Sequence, residues 1–129
     1  MFLKKAFVLI VGSFWLIGCS QLRELVDTTN INTKIQYDIS IQNPGELMQK
    51  FYTYSDNQNV VLDWEELREP KQYRITMIHS NIQNDTIESL KYVMLSKYNG
   101  DTWQVEKIKK SIKCQPHKGH RYWGACLCK

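Results

Sequence analysis

Apolar residues fall first in one block and then in short periodic stretches. Residues 6–17 form a twelve-residue apolar run broken only by Gly12 and Ser13. After a polar segment, positions 33–42 alternate, with Ile35, Tyr37, Ile39 and Ile41 on one side and Lys34, Gln36, Asp38 and Ser40 on the other. A period of two is that of a half-buried strand. The period then lengthens, and Leu47, Met48, Phe51 and Tyr52 fall on one helical stripe. Ahead of them Asn43 can cap, Pro44 suits the first helical position, and Glu46 can reach back towards the cap. This pattern predicts a helix over 44–54, with a turn over 55–59.

Val60, Val61 and Leu62 make a short apolar run, after which Asp63 and Glu66 repeat the capping pattern. That spacing predicts a helical turn ending before Pro70. Residues 73–82 and 87–98 read as strands, with Asn84-Asp85 as the turn between them. Asn99-Gly100, set between apolar runs, is the strongest hairpin signal in the chain. Its partner strand starts near Thr102, with Trp103 and Val105 sharing a face. The inward set then moves to Ile108 and Ile112, which requires a bulge near Lys107. The expected fold is α+β, with one main helix packed on a small antiparallel sheet of about four strands. The first strand should pair with one of the later three.

The opening block carries chemistry of a different kind. Lys4 and Lys5 precede it, and a helix needs roughly 20 apolar residues to cross the hydrocarbon core, so this run is too short to span. It ends in Leu16-Ile17-Gly18-Cys19. That ending resembles the lipobox of bacterial lipoproteins, with Leu at −3, a small residue at −1 and Cys at +1. The resemblance implies a signal peptide over 1–18, cut before Cys19, whose thiol then receives a diacylglycerol. It also implies acylation of the new amino group. Two or three acyl chains, at about 0.8 kcal/mol per buried methylene, hold a protein stably on a membrane. Residues 19–32 would form the lipidated tether and 33–129 a single α+β domain. Ser20 at +2 implies, for a Gram-negative cell, the outer membrane facing the periplasm.

Charge divides the chain further. From Cys19 to Glu106 there are 8 basic and 13 acidic residues, whereas residues 107–129 hold 7 basic residues and no acidic one. A cationic tail therefore follows an acidic body. Lys109, Lys110, Lys113, Lys118 and Arg121, with Trp123 as an interfacial aromatic, are candidate contacts for anionic headgroups or an anionic envelope polymer. Each charge near such a surface contributes up to about 1 kcal/mol. The plainer alternative is a solvated strand edge whose lysines deter aggregation.

The same tail holds Cys114, His117, His120, Cys126 and Cys128. Thiols of an exported chain meet oxidising conditions, and a disulfide from Cys114 to Cys126, or alternatively to Cys128, would pin the tail to the last strand. Closing such a loop contributes about 3 kcal/mol. With Cys19 consumed by lipid, one of the three tail thiols is left over, free or bonded to another envelope protein. A zinc or copper site is the competing reading, but the spacing fits no zinc module. Thiol catalysis lacks a nearby carboxylate to orient an imidazole. His79 reads as a satisfied strand residue. Asp63, Glu65, Glu66 and Glu69 read as a solvated helix face, since they lack the alternating ligands and central glycine of a calcium loop. Asn84-Asp85-Thr86 fits a glycosylation sequon that a bacterium usually leaves unused. The expectation is a non-enzymatic envelope lipoprotein without a cofactor. Its partners would be the membrane and an envelope protein or polymer, not nucleic acid.

Overall fold

A computed structural model describes residues 24–129. The signal segment and Cys19 lie outside the described residues. The elements are β1 (Glu24–Val26), α1 (Thr29–Ile35), α2 (Pro44–Phe51), β2 (Val60–Glu66), β3 (Gln72–His79), β4 (Ile87–Tyr98) and β5 (Trp103–Cys114). All five strands form one antiparallel sheet in the order β1-β5-β4-β3-β2. Mixed helix and sheet is as expected. The expected single helix and four strands become two short helices and five strands.

The hairpin of β4 and β5 is the spine of the sheet. Tyr98 pairs with Trp103 across the Asn99-Gly100 turn, where Asn99 Oδ1 accepts from the amides of Asp101 and Thr102 at 2.9 Å each. The register then slips between Leu95↔Lys107 and Ser96↔Val105. Glu106 is the extra residue, one position from the bulge that the shifting inward set requires. Because of it, Trp103, Val105, Ile108 and Ile112 all turn to one face, where they are buried. Ile75, Met77 and Met94 complete that face with no exposed surface.

Two helices roof it. Asn43 caps α2 by accepting the Glu46 amide at 2.9 Å, and Glu46 Oε2 reaches back to the Gln42 amide at 2.7 Å. Leu47 and Met48 are fully buried beneath. The helix stops at Phe51, short of the expected Tyr54. Its N-terminal turn sits so close to β2 that a Cβ on Gly45 would stand 3.0 Å from the Trp64 ring.

Residues 33–42 are not a strand. Ile31 and Ile35, four apart on α1, are the buried pair at 4% and 0% exposure, while Tyr37 and Ile39 are 86% and 78% exposed. Four-residue spacing matched by burial is the mark of a helix. The loop after it is held by Trp103, whose Nε1 donates to the Ile41 carbonyl at 3.1 Å. Residues 60–66 also differ from expectation. They run as strand β2 through Asp63 and Glu66, paired with β3 from Val60↔His79 to Glu66↔Tyr73. The acidic cluster therefore lies partly along a sheet edge, and Asp63 and Glu65 point away from the helices. The polar segment read as a tether has already joined the sheet by Glu24.

The outer edge of β5 is closed in three places. β1 pairs with it from Glu24↔Lys110 to Val26↔Ile108. The Asn32 side-chain amide donates to the Val105 carbonyl and accepts its N–H, both at 2.8 Å. Gly124 exchanges two backbone bonds with Ile112, at 2.8 and 3.0 Å. Unpaired edge groups template association with other chains, so this closure leaves β2 as the exposed edge.

Candidate functional site

Past Cys114 the chain folds back along β5. Cys114 bonds Cys128, with Cα atoms 5.5 Å apart, so the second of the two pairings left open is the one that forms. Cys126 is also disulfide-bonded, and no described cysteine is free, which removes the expected leftover thiol. Gly119 has φ +145°, and a Cβ there would lie 2.7 Å from Cys114 Sγ, so only glycine lets the backbone cross the bond. The Lys129 amide donates to the Lys118 carbonyl at 2.6 Å and ties the end of the tail to the turn.

His120 is held inside this clasp. Its Nδ1 faces the Tyr122 carbonyl at 2.8 Å and its Nε2 the Cys126 carbonyl at 2.7 Å, while its ring stacks on Tyr122. The ligand atoms of Cys114, His120 and Cys128 lie within 4.8 Å of one another. The two sulfurs are spent on each other, and both imidazole nitrogens face carbonyls. The cluster is therefore drawn as a clasp, and it would offer thiolates to a metal only after reduction. His117 stands outside it, exposed, with φ 66°.

The face of the sheet away from the helices is not roofed. Strand pairing fixes its rungs, because directly paired residues share a face. One rung runs Lys109–Val93–Thr76–Asp63, and the next runs Lys107–Leu95–Arg74–Glu65. Between them lies a shallow groove of about 470 Å³ lined by Arg74, Thr76, Lys91, Val93, Leu95, Lys107 and Lys109. Neighbouring strands are about 4.8 Å apart and same-face residues about 7 Å apart along a strand, so these four cations share a patch the width of three strands. Their aliphatic stems can lie along Val93 and Leu95 while the charged heads reach water. Arg74 is paired with Glu65 at 2.5 Å. Lys107 and Lys109 form no ion pair among the described residues. At one end of the patch Trp123 takes two cations, with Lys91 Nζ 4.9 Å and Lys113 Nζ 4.7 Å from its ring centroid.

The tail residues singled out from charge alone are thus divided. Lys109, Lys113 and Trp123 come together on the open face. Lys110 does not, since it pairs with Tyr92 and so points to the helix side. Arg121 turns to Glu88 at 2.5 Å and also donates to the Cys114 carbonyl. Lys118 stays in the exposed turn. Lys107 of the same cationic tail joins them from β5, and the sheet adds Lys91 from β4 and Arg74 from β3. Lys107 was legible as part of the alternating run Lys107, Lys109, Lys113. Arg74 and Lys91 carried no local signal, because only the strand register brings them alongside.

His79 is satisfied, as expected of a strand residue, through a 2.8 Å bond between its Nδ1 and the Tyr52 hydroxyl. On the same covered side, burial raises the Tyr52 phenol above its ordinary pKa. Burial does the same for Tyr92, helped by Tyr52 and Glu24. Asn84 spends its side-chain oxygen on the amides of Thr86 and Ile87. Comparisons with protein-family models, curated proteins and solved structures return no match.

Proposed function

We propose that the chain is a non-enzymatic lipoprotein of the bacterial envelope, anchored through Cys19, whose contact surface for an anionic partner is the unroofed face of the sheet. The observation that carries the reading is the gathering of Arg74, Lys91, Lys107 and Lys109 around one groove, where Val93 and Leu95 form the floor. Such a surface can hold phosphate or carboxylate groups by charge and hydrogen bonding through its lysines, while Arg74 is engaged by Glu65 at the β2 end. The Leu16-Ile17-Gly18-Cys19 ending supports the address.

The deciding experiment is an intact mass, without reduction, of the chain extracted in detergent from its own membrane. Acylation of a chain starting at Cys19, with the Cys114–Cys128 bond intact, is the expected result. A mass without lipid would remove the anchor.

A thiol- or metal-dependent activity of the tail is the second reading, supported by the closeness of Cys114, His120 and Cys128. Its test is zinc titration of the reduced chain followed by native mass spectrometry. One tightly held ion per chain would favour it, and no uptake would end it.

A further inference from the structure

The anchor proposed above and the open face are close enough to act on one object. Cys19 precedes Glu24 by five residues, and five peptide units span at most about 18 Å. Glu24 is already in the sheet, on the flank of β5. The neighbouring residue Leu25 pairs with Lys109, so it belongs to the open face, where it is 67% exposed. The chain thus enters the fold beside the lysines of the groove, and not on the helix side or at the free edge of β2.

We infer that the open face docks on anionic phospholipid headgroups of the bilayer that holds Cys19, with Lys107, Lys109 and Lys91 meeting the phosphates and Leu25 and Trp123 meeting the interface. The inference rests on the anchor reading and adds the partner and the orientation. Three features fit it together. A tether this short holds the β5 flank at most about 18 Å from the surface, so that small excursions bring its lysines within the Debye length of about 8 Å where attraction to anionic lipid acts. The face alternates cations with short aliphatic side chains and so suits a boundary that is charged outside and apolar beneath. On the open face Asp63 and Glu65 lie at the far side, on β2, while Glu106 on β5 is engaged by Lys97 and Gln72. A tilt that brings β5 to the membrane lifts Asp63 and Glu65 away from it.

The test uses the acylated full chain in two kinds of vesicle, phosphatidylcholine alone and phosphatidylcholine mixed with phosphatidylglycerol. Acetylation of each lysine is followed by peptide mapping at low and high salt. Expected is slower labelling of Lys107 and Lys109 on the mixed vesicles only, reversed by salt, with Lys50 on α2 labelled equally on both. Each of Lys107→Gln and Lys109→Gln should shift the docked population by roughly fivefold, the equivalent of about 1 kcal/mol. Thermal melts of the two variants exclude misfolding as the cause. If the chain floats with both vesicles while Lys107 and Lys109 label alike, the docking is wrong and the anchor stands. Failure to float with phosphatidylcholine vesicles would remove the anchor and the docking together. Protection of the same lysines by a soluble anionic polymer, but not by mixed vesicles, would assign the face to that polymer and overturn the lipid.

Discussion

The two faces of the sheet are built from the same strands and have opposite characters. On β3, β4 and β5 the residues turned to the helices include Ile75, Met77, Met94 and Ile108, all without exposed surface. Their immediate neighbours in the chain, Arg74, Thr76, Val93, Leu95, Lys107 and Lys109, line the open groove. One step along the backbone thus separates a residue whose role is packing from one whose role is surface contact. Since side chains alternate strictly, a slip of one residue in pairing would exchange the two sets. The Glu106 bulge matters for this reason, because it realigns Val105 and Trp103 with the covered face while Lys107 stays on the open one.

Packing substitutions should separate the faces most widely. Ile108→Ala or Met94→Ala leaves a cavity under the helices and should cost about 2–5 kcal/mol in urea unfolding, whereas Val93→Ala on the open face should cost less than about 1 kcal/mol. Equal losses would mean that the open face is covered too. Replacing Cys114 and Cys128 together by serine should remove about 3 kcal/mol. That variant should also release Trp123 from Lys91 and Lys113, seen as a change in tryptophan fluorescence that the cavity variants do not share. Asn43→Ala removes the cap of α2 and should cost about 1 kcal/mol, felt only on the covered side.

A pH series adds a finer comparison. The phenols of Tyr52 and Tyr92 are raised in the folded state, so the unfolded chain ionises first as pH climbs past the ordinary tyrosine value of 10.0. Stability from these groups is fully present below that pH and is lost above it. Tyr92→Phe should flatten the alkaline fall in melting temperature. The smallest effect belongs to Lys107→Gln with Lys109→Gln, within about 0.5 kcal/mol of the parent stability. A larger loss would show that these lysines hold the fold together.

Legibility followed how local each signal was. The cap of α2, the Asn99-Gly100 turn, the extent of β4 and the bulge are set by residues within a few positions of one another, and each was readable. The Asp63–Glu66 spacing copied that of a helix start, but no apolar stripe follows it as Leu47, Met48 and Phe51 follow Asn43. Pairing with β3 decided the matter. Residues 33–42 misled because Ile35 and Ile41 are both buried, one from a helix and one from a loop. The intervening Tyr37 and Ile39 are left in solvent. On the candidate surface, the lysines of β5 could be read by their period of two. Arg74 and Lys91 needed the register of three strands.

The three-part closure of the β5 edge also sets a timetable. β1 is made early, yet its partner at Ile108–Lys110 follows about eighty residues later, and Gly124 comes after that. At about 5–20 residues per second, roughly 4–16 seconds pass between the synthesis of β1 and that of the strand it joins. Until then α1 has no strand to cover, whereas α2 can already meet β2 and β3. The β5 side of the domain therefore closes last, when the C-terminal hairpin is complete.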